Sequence, residues 1–430
     1  MNITKRKIGG LFQLANRVGF LHLLSANLLI QISAFGGQIF LTRILSVNDI
    51  GTIKVLQSYL TIFVLVGSLG LNTSVLKLCS EEISENEQKG IFNISFLFTI
   101  ISSMILILAV DLLVNSSIIK VNSLLKDYVY LIPIFNLTNL IFVYLQSQQK
   151  IKIMSIIQSY SKIFIVILST LVAFWFGFKG YIYSLIFLNL VSFLGILVFI
   201  RNEVNFKYIY NITKSKLKSI FNIGLFAFGS NLLGQLMLNV NIIMATFLTN
   251  NSKEIGYYGI AQLIISAMII IPSTLGQIMI PKISKLSNNV DEVKKTLRDY
   301  RVRNTLLCLL ISLIAGATAP FIIPLVFGRN YSNSVLYFEI LLMGFIFWSL
   351  YSPIGNTLLS VGRSDINFYM NVISVFLNFI LNYLLIRSYG MFGAAAANTI
   401  TYLITIFIYN FFFKKLYINV AQKNIEHKAS

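Results

Sequence analysis

Long apolar runs divide this chain. About twelve of them, each near twenty residues and bounded by charge or turn residues, follow one another from end to end. A helix of about 20 apolar residues crosses the hydrocarbon core of a bilayer. Backbone in lipid must satisfy its own hydrogen bonds, so such runs are helices or they are nothing. Composition agrees: 56% of residues are hydrophobic and only 11% charged, where soluble domains carry about 25% charge. The expected fold is an all-α polytopic membrane protein.

The spans are predicted near Leu21 to Thr42, Ile53 to Leu76, Ile91 to Val114, Leu125 to Leu145, Ile153 to Phe176 and Gly180 to Ile200. A basic linker, Arg201 to Lys218, follows. The second set lies near Ile220 to Leu248, Tyr257 to Ile280, Thr305 to Phe327, Val335 to Ser360, Ile366 to Ile386 and Phe392 to Phe413. Six spans per half give two lobes, residues 1–210 and 211–430.

Two ungapped offsets support a duplication. Shifted by 205 residues, Asp49-Ile50-Gly51 meets Glu254-Ile255-Gly256, and Lys77 meets Lys282. Shifted by 213, Leu145, Ser147 and Lys150 meet Leu358, Ser360 and Arg363, and Gly177 and Gly180 meet Gly390 and Gly393. An even number of spans per copy predicts a parallel repeat.

Polar residues recur on matching faces of these spans. Gln57, Thr61, Ser68 and Asn72 fall within about 60° of one another at about 100° per residue. Their 205-residue partners are Gln262, Ser266, Ser273 and Gln277. The first span adds Asn27, Gln31, Gln38 and Thr42, and the seventh adds Asn231, Gln235, Asn239 and Asn241. Amides and hydroxyls in lipid commonly tie helices together. A stripe four turns long also wets most of the bilayer depth, which favours a hydrophilic cavity between the halves.

Lys162 lies midway along the fifth span, where a lysine costs about 2.5–3.5 kcal/mol on insertion scales. Its repeat partner is Val375. A cation facing water there suits an anionic headgroup; the plainer alternatives are snorkelling or pairing with a distant carboxylate. Asp111 and Glu339 fall near span ends, and Pro272 beside Ser273 permits a bend in the eighth span.

The net charge of +19 does not indicate nucleic acid, because the basic residues sit in short segments between spans. Lys5, Arg6, Lys7, the linker, and Lys282 to Arg303 fall on one side. The other side keeps Arg43, Lys54, Lys120, Lys126, Lys179, Lys253, Arg329 and Arg387, a ratio of about three to one. That asymmetry predicts both termini in the cytoplasm. Tyr128/Tyr130 and Tyr257/Tyr258 are expected in the interfacial aromatic belt. Cys79 and Cys308 form no framework, and no metal site, cofactor site, nucleotide-binding loop or catalytic constellation stands out. A membrane-embedded glycan-assembly enzyme is the remaining catalytic alternative.

Leu41-Thr42-Arg43-Ile44-Leu45-Ser46, followed by Asp49-Ile50-Gly51, resembles the Wzx-type polysaccharide flippases of the multidrug/oligosaccharidyl-lipid/polysaccharide superfamily. So do Gly67-Ser68-Leu69-Gly70-Leu71 and Gly390-Met391-Phe392-Gly393-Ala394. The resemblance covers essentially the whole chain. It implies two six-helix lobes in a V, with helices 1, 2, 7 and 8 lining the cavity. It also implies alternating access, in a bacterial inner membrane, for an undecaprenyl-diphosphate-linked oligosaccharide destined for O-antigen or capsule. Membrane lipid, a polysaccharide polymerase and glycosyltransferases would be partners. Cation-coupled multidrug exporters of the same superfamily have the same span count and form the alternative.

Overall fold

The computed structural model describes residues 20–116, 124–249, 251–287 and 289–418. The described chain is helical, in the order α1 (Phe20–Ile44), α2 (Val47–Ser68), α3 (Leu71–Cys79), α4 (Glu85–Asn115), α5 (Leu124–Tyr128), α6 (Leu131–Ser147) and α7 (Ile151–Phe199). A short 3-10 turn, Phe206–Asn211, leads to α8 (Lys214–Leu248), α9 (Ser252–Ser284), α10 (Val290–Phe327), α11 (Ser334–Ser360) and α12 (Ser364–Phe412). Among the described residues, nine helical stretches are long and apolar enough to cross a membrane. Two of these, α7 and the stretch containing α12, are double-length and fold back on themselves, and α1 adds one more. The chain is a multi-pass membrane protein with twelve spans among its described residues, as the apolar runs predict.

Each fold-back turns on one glycine. Gly177 has φ 63° and ψ −154°, and Gly390 has φ 58° and ψ −141°. An L side chain rarely adopts such angles. Across the second turn the partners are antiparallel: Asn378 donates to Thr401 at 3.0 Å, Thr405 to Ser374 at 3.1 Å, and Tyr409 to Asn371 at 2.7 Å. A Cβ on Gly393 would collide with the Leu385 carbonyl, eight residues back.

The 213-residue repeat holds bond for bond at the preceding junctions. Lys150 N–H donates to the Leu145 carbonyl at 3.0 Å, and Arg363 N–H to the Leu358 carbonyl at 2.8 Å. Gln149 (φ 58°) and Gly362 (φ 76°) occupy the left-handed position that ends α6 and α11. The 205-residue repeat holds too: Thr61 Oγ1 donates to the Gln57 carbonyl, and Ser266 Oγ to the Gln262 carbonyl, each at 2.8 Å.

The helices form two compact units: residues 1–46 with 56–232, and residues 47–55 with 233–430. The divisions fall inside α2 and α8. In the first unit, Ser74 of α3 donates to the Ile220 carbonyl of α8 at 2.6 Å, and Phe98 meets Phe221 edge-on. Phe92 stacks on Tyr144 with ring centroids 4.2 Å apart. Glu203 draws in Lys89 (3.6 Å), Lys150 (3.7 Å) and the Tyr144 hydroxyl (3.2 Å). In the second unit, α10 begins as an amphipathic helix capped by Asn289, whose side chain accepts from Asp291 and Glu292 N–H. Its buried face, Val293, Leu297 and Tyr300, packs with Ile283, Tyr351, Ile354, Leu358 and Met370. Cations including Lys295, Arg298 and Arg303 stay exposed.

Three expectations need correction. The second span is not one helix to Leu76: α2 stops at Ser68, and Leu69 (φ 49°) and Gly70 (φ 70°) break it before α3. The break lets the backbone approach α8, where a Cβ on Gly70 would lie 2.0 Å from the Gly224 carbonyl. Tyr257 and Tyr258, expected to face outward in an interfacial belt, are instead buried within the protein. Tyr128 is buried as well, and only Tyr130 of the four is exposed. Lys54, read as an outer-segment residue, lies two turns inside α2.

Candidate polar path and its cations

The polar stripe of α2 is shorter than its sequence pattern. Gln57, Thr61 and Ser68 share one face of α2, whereas Asn72 sits beyond the break on α3. Thr61 is half-buried and satisfied by its own helix. Ser68 is buried; its hydroxyl donates to the Leu65 carbonyl at 2.8 Å and accepts from Gly70 N–H at 3.3 Å. That serine caps the break. Gln57 and Asn72 are half-buried, and their side-chain amides have no hydrogen-bond partner among the described residues.

The α9 stripe is continuous. Gln262, Ser266, Ser273 and Gln277 lie on one helix, which runs unbroken through the buried Pro272. Ser266 and Gln277 are exposed, and Gln262 and Ser273 are half-buried. Gln262 Nε2 donates to the Leu238 carbonyl at 2.7 Å, tying α9 to α8. On α8, Asn239 Nδ2 donates to the Gln235 carbonyl at 3.0 Å and to Gln235 Oε1 at 3.3 Å. Asn231, one turn before Gln235, is exposed. The hydroxyls of Thr61, Ser68 and Ser266 donate to their own helices, so of these groups the amides keep the greater spare hydrogen-bonding capacity.

On α1, Gln31 is exposed and Gln38 half-buried, with Gln38 Oε1 enclosed and without a hydrogen-bond partner. Thr42 donates to the Ile39 carbonyl at 2.7 Å. The side chain of Asn27 lies outside the described residues. Gly37 lets α7 approach closely, since a Cβ there would meet Val166 at 2.5 Å.

Lys162 is half-buried on α7, one turn before that crossing. Its Nζ lies 5.0 Å from the Phe135 ring centroid, a cation–π contact with α6. No described carboxylate pairs with it. The aromatic face offsets part of the cost of the charge and leaves the ammonium's donors for an anion.

The second unit also holds a buried amide chain, of which only Asn241 belongs to the polar residues of the seventh span. Asn382 Nδ2 donates to Asn241 Oδ1 at 2.7 Å and to Asn378 Oδ1 at 3.0 Å. Asn241 Nδ2 donates to the Tyr258 hydroxyl at 2.8 Å. All three asparagines are fully buried. The seven- and four-residue spacing of Asn371, Asn378 and Asn382 in an apolar span is the signal that points to it.

A family model described as "Polysaccharide biosynthesis protein" matches residues 40–336, which contain both stripes and Lys162. The chain belongs to that family. Among its curated relatives is the capsular polysaccharide biosynthesis protein CapF of Staphylococcus aureus, 23% identical over 51% of this chain and 56% of CapF. Another is an uncharacterized membrane protein of Methanocaldococcus jannaschii, 28% identical over 34% of each chain. The chain thus spans about half the length of the first and a third of the second. The fold is shared with solved transporters. The lipid II flippase MurJ superposes with TM-score 0.69 at 16% identity, covering 90% of this chain and 87% of that one. A multidrug resistance MATE family transporter of the MOP superfamily gives 0.66 at 12% identity, covering 92% and 96%.

Proposed function

We propose that the protein is a flippase. It moves an undecaprenyl-diphosphate-linked oligosaccharide repeat unit from the inner to the outer leaflet of a bacterial cytoplasmic membrane, for O-antigen or capsule assembly. The observation that carries this reading is membership of a polysaccharide biosynthesis family on a fold shared with a lipid II flippase. Both termini are cytoplasmic in this reading, and the protein catalyses no reaction. A polymerase and glycosyltransferases of the same pathway supply and consume the lipid-linked saccharide.

The chemistry of the residues supports it. A polyprenyl tail needs no polar path and stays in lipid. Sugar hydroxyls both donate and accept, as do the amides of Gln31, Gln38, Gln57, Gln235, Asn239, Gln262 and Gln277. The Lys162 ammonium, with an aromatic face on one side and no described carboxylate paired with it, is a site for the diphosphate.

A deletion strain tests the reading. Lipid-linked repeat units should accumulate on the inner face, and surface polysaccharide should be absent. Normal surface polysaccharide combined with drug hypersensitivity would replace it with the multidrug-exporter reading, which the MATE-like fold also fits.

A further inference from the structure

Lys54 stands at the head of the α2 stripe. On a helix of about 100° per residue it falls within about 60° of Gln57, Thr61 and Ser68. It is half-buried, two turns into an apolar span, and no described carboxylate lies within 4.0 Å of its Nζ. Its seat is specific. A Cβ on Gly259 of α9 would lie 2.7 Å from Lys54 Cγ, 3.2 Å from Cδ and 3.3 Å from Cε, so the lysine stem runs across the face of that glycine. Gly259 is the residue 205 positions on from Lys54, its own repeat mate. One copy carries the cation and the other leaves the room for it.

The acid on the facing helix α9 is engaged elsewhere. Glu254, one turn before Gly259, accepts from Met391 N–H at 3.3 Å and so lies against the Gly390 turn. A lysine held by its stem in a glycine slot near the start of an apolar span, with no described carboxylate beside its ammonium, needs an anion or water to persist.

We infer that Lys54 is a binding residue for the phosphate of a lipid headgroup, at the end of the spans where α2 and α9 begin. The ligand class is a phosphate or diphosphate ester on a lipid. Its source is either the carried lipid-linked saccharide or a resident phospholipid; only the first source rests on the flippase reading. The ammonium supplies both the charge and the hydrogen-bond donors.

Native mass spectrometry of the full-length protein tests this with three added lipids: undecaprenyl diphosphate, phosphatidylglycerol and the uncharged undecaprenol. Lys54→Gln should bind at least one of the two phosphate lipids about tenfold more weakly, with undecaprenol unchanged. Lys54→Arg should retain binding within about threefold, because the charge is kept. Gly259→Ala should weaken the same lipid as Lys54→Gln, because the new methyl displaces the lysine stem. Selective loss of undecaprenyl diphosphate assigns the site to the carried lipid, and selective loss of phosphatidylglycerol to a resident one. Wild-type binding of both phosphate lipids by folded Lys54→Gln overturns the inference. The deletion-strain phenotype reads the flippase proposal separately, since it involves no change at Lys54.

Discussion

Gly51 and Gly256 block each other's substitution reciprocally. A Cβ on Gly51 would lie 1.6 Å from the Ser252 carbonyl oxygen, and a Cβ on Gly256 would lie 2.3 Å from the Val47 carbonyl oxygen. Both pairs are related by the 205-residue offset. The first turns of α2 and α9 therefore cross backbone to backbone inside the second compact unit. Only small residues allow helices to approach this closely in lipid.

Alanine at either position should destabilise the protein. Backbone cannot move aside as a side-chain tip can, so the cost belongs at the upper end of the about 1–3 kcal/mol typical of overpacking. Gly229→Ala is the control, since a Cβ there meets nothing within 4 Å. Thermal unfolding in detergent should show a lowered Tm for Gly51→Ala and Gly256→Ala. An unchanged Tm would refute the close crossing.

Lys162→Gln should abolish transport while protein level in the membrane stays normal, because removing the charge relieves an insertion cost. Lys162→Arg should keep part of it. Surface polysaccharide and immunoblots of membranes read the two quantities. Wild-type polysaccharide in the glutamine variant would remove Lys162 from the path.

Cysteines at Gln57, Thr61, Gln262, Ser266 and Gln277 should react with a membrane-impermeant thiol reagent. Cysteine at Leu60, which is buried, should react several-fold more slowly, and cysteine at Ser68 should resemble Leu60 because only 4% of Ser68 is exposed. Equal protection at every site would make the stripes helix-to-helix ties.

Asn382→Leu should cost about 1–2 kcal/mol, since it leaves the fully buried Asn241 carbonyl without its donor. Asn382→Leu with Asn241→Leu should cost less than the sum of the two single changes. A double-mutant cycle on unfolding in detergent measures the coupling. Strict additivity would mean the pair contributes nothing to stability.

Cys79 should resist alkylation in the folded protein at neutral pH. It is 1% exposed, and burial pushes its thiol up to about 12 from 9.0, with Lys216 opposing. The thiol is neutral in both folded and unfolded chains below pH 9. Between about pH 9 and 12 only the unfolded chain loses the proton, so stability from this group falls as pH rises through that window. Rapid labelling of the native protein at pH 7 would contradict the burial.

The spans and the repeat were readable because apolar length and turn glycines are local signals. Gly177 and Gly390 align in sequence and adopt the same backbone angles. What escaped is what depends on partners far along the chain. The break at Leu69–Gly70 follows from the approach of Gly224, over 150 residues away. Tyr258 reads as an interfacial aromatic, but Asn241 gives its hydroxyl a buried partner. Lys54 reads as the edge of a span because charge marks edges; the glycine that accommodates its stem lies in the other copy. Among the stripe residues the sequence located the faces but not the satisfaction of each group.

The glycine turns at 177 and 390 bear on biogenesis. Each joins two spans with almost no hydrophilic chain between them, so the insertion machinery has no loop to translocate. A span pair of about fifty residues is then expected to enter the bilayer as one helical hairpin, with its orientation set by the cations at its two flanking ends, Lys150 and Arg201 in one copy and Arg363 and Lys414 in the other. Charges added at either turn would therefore burden insertion of both helices together.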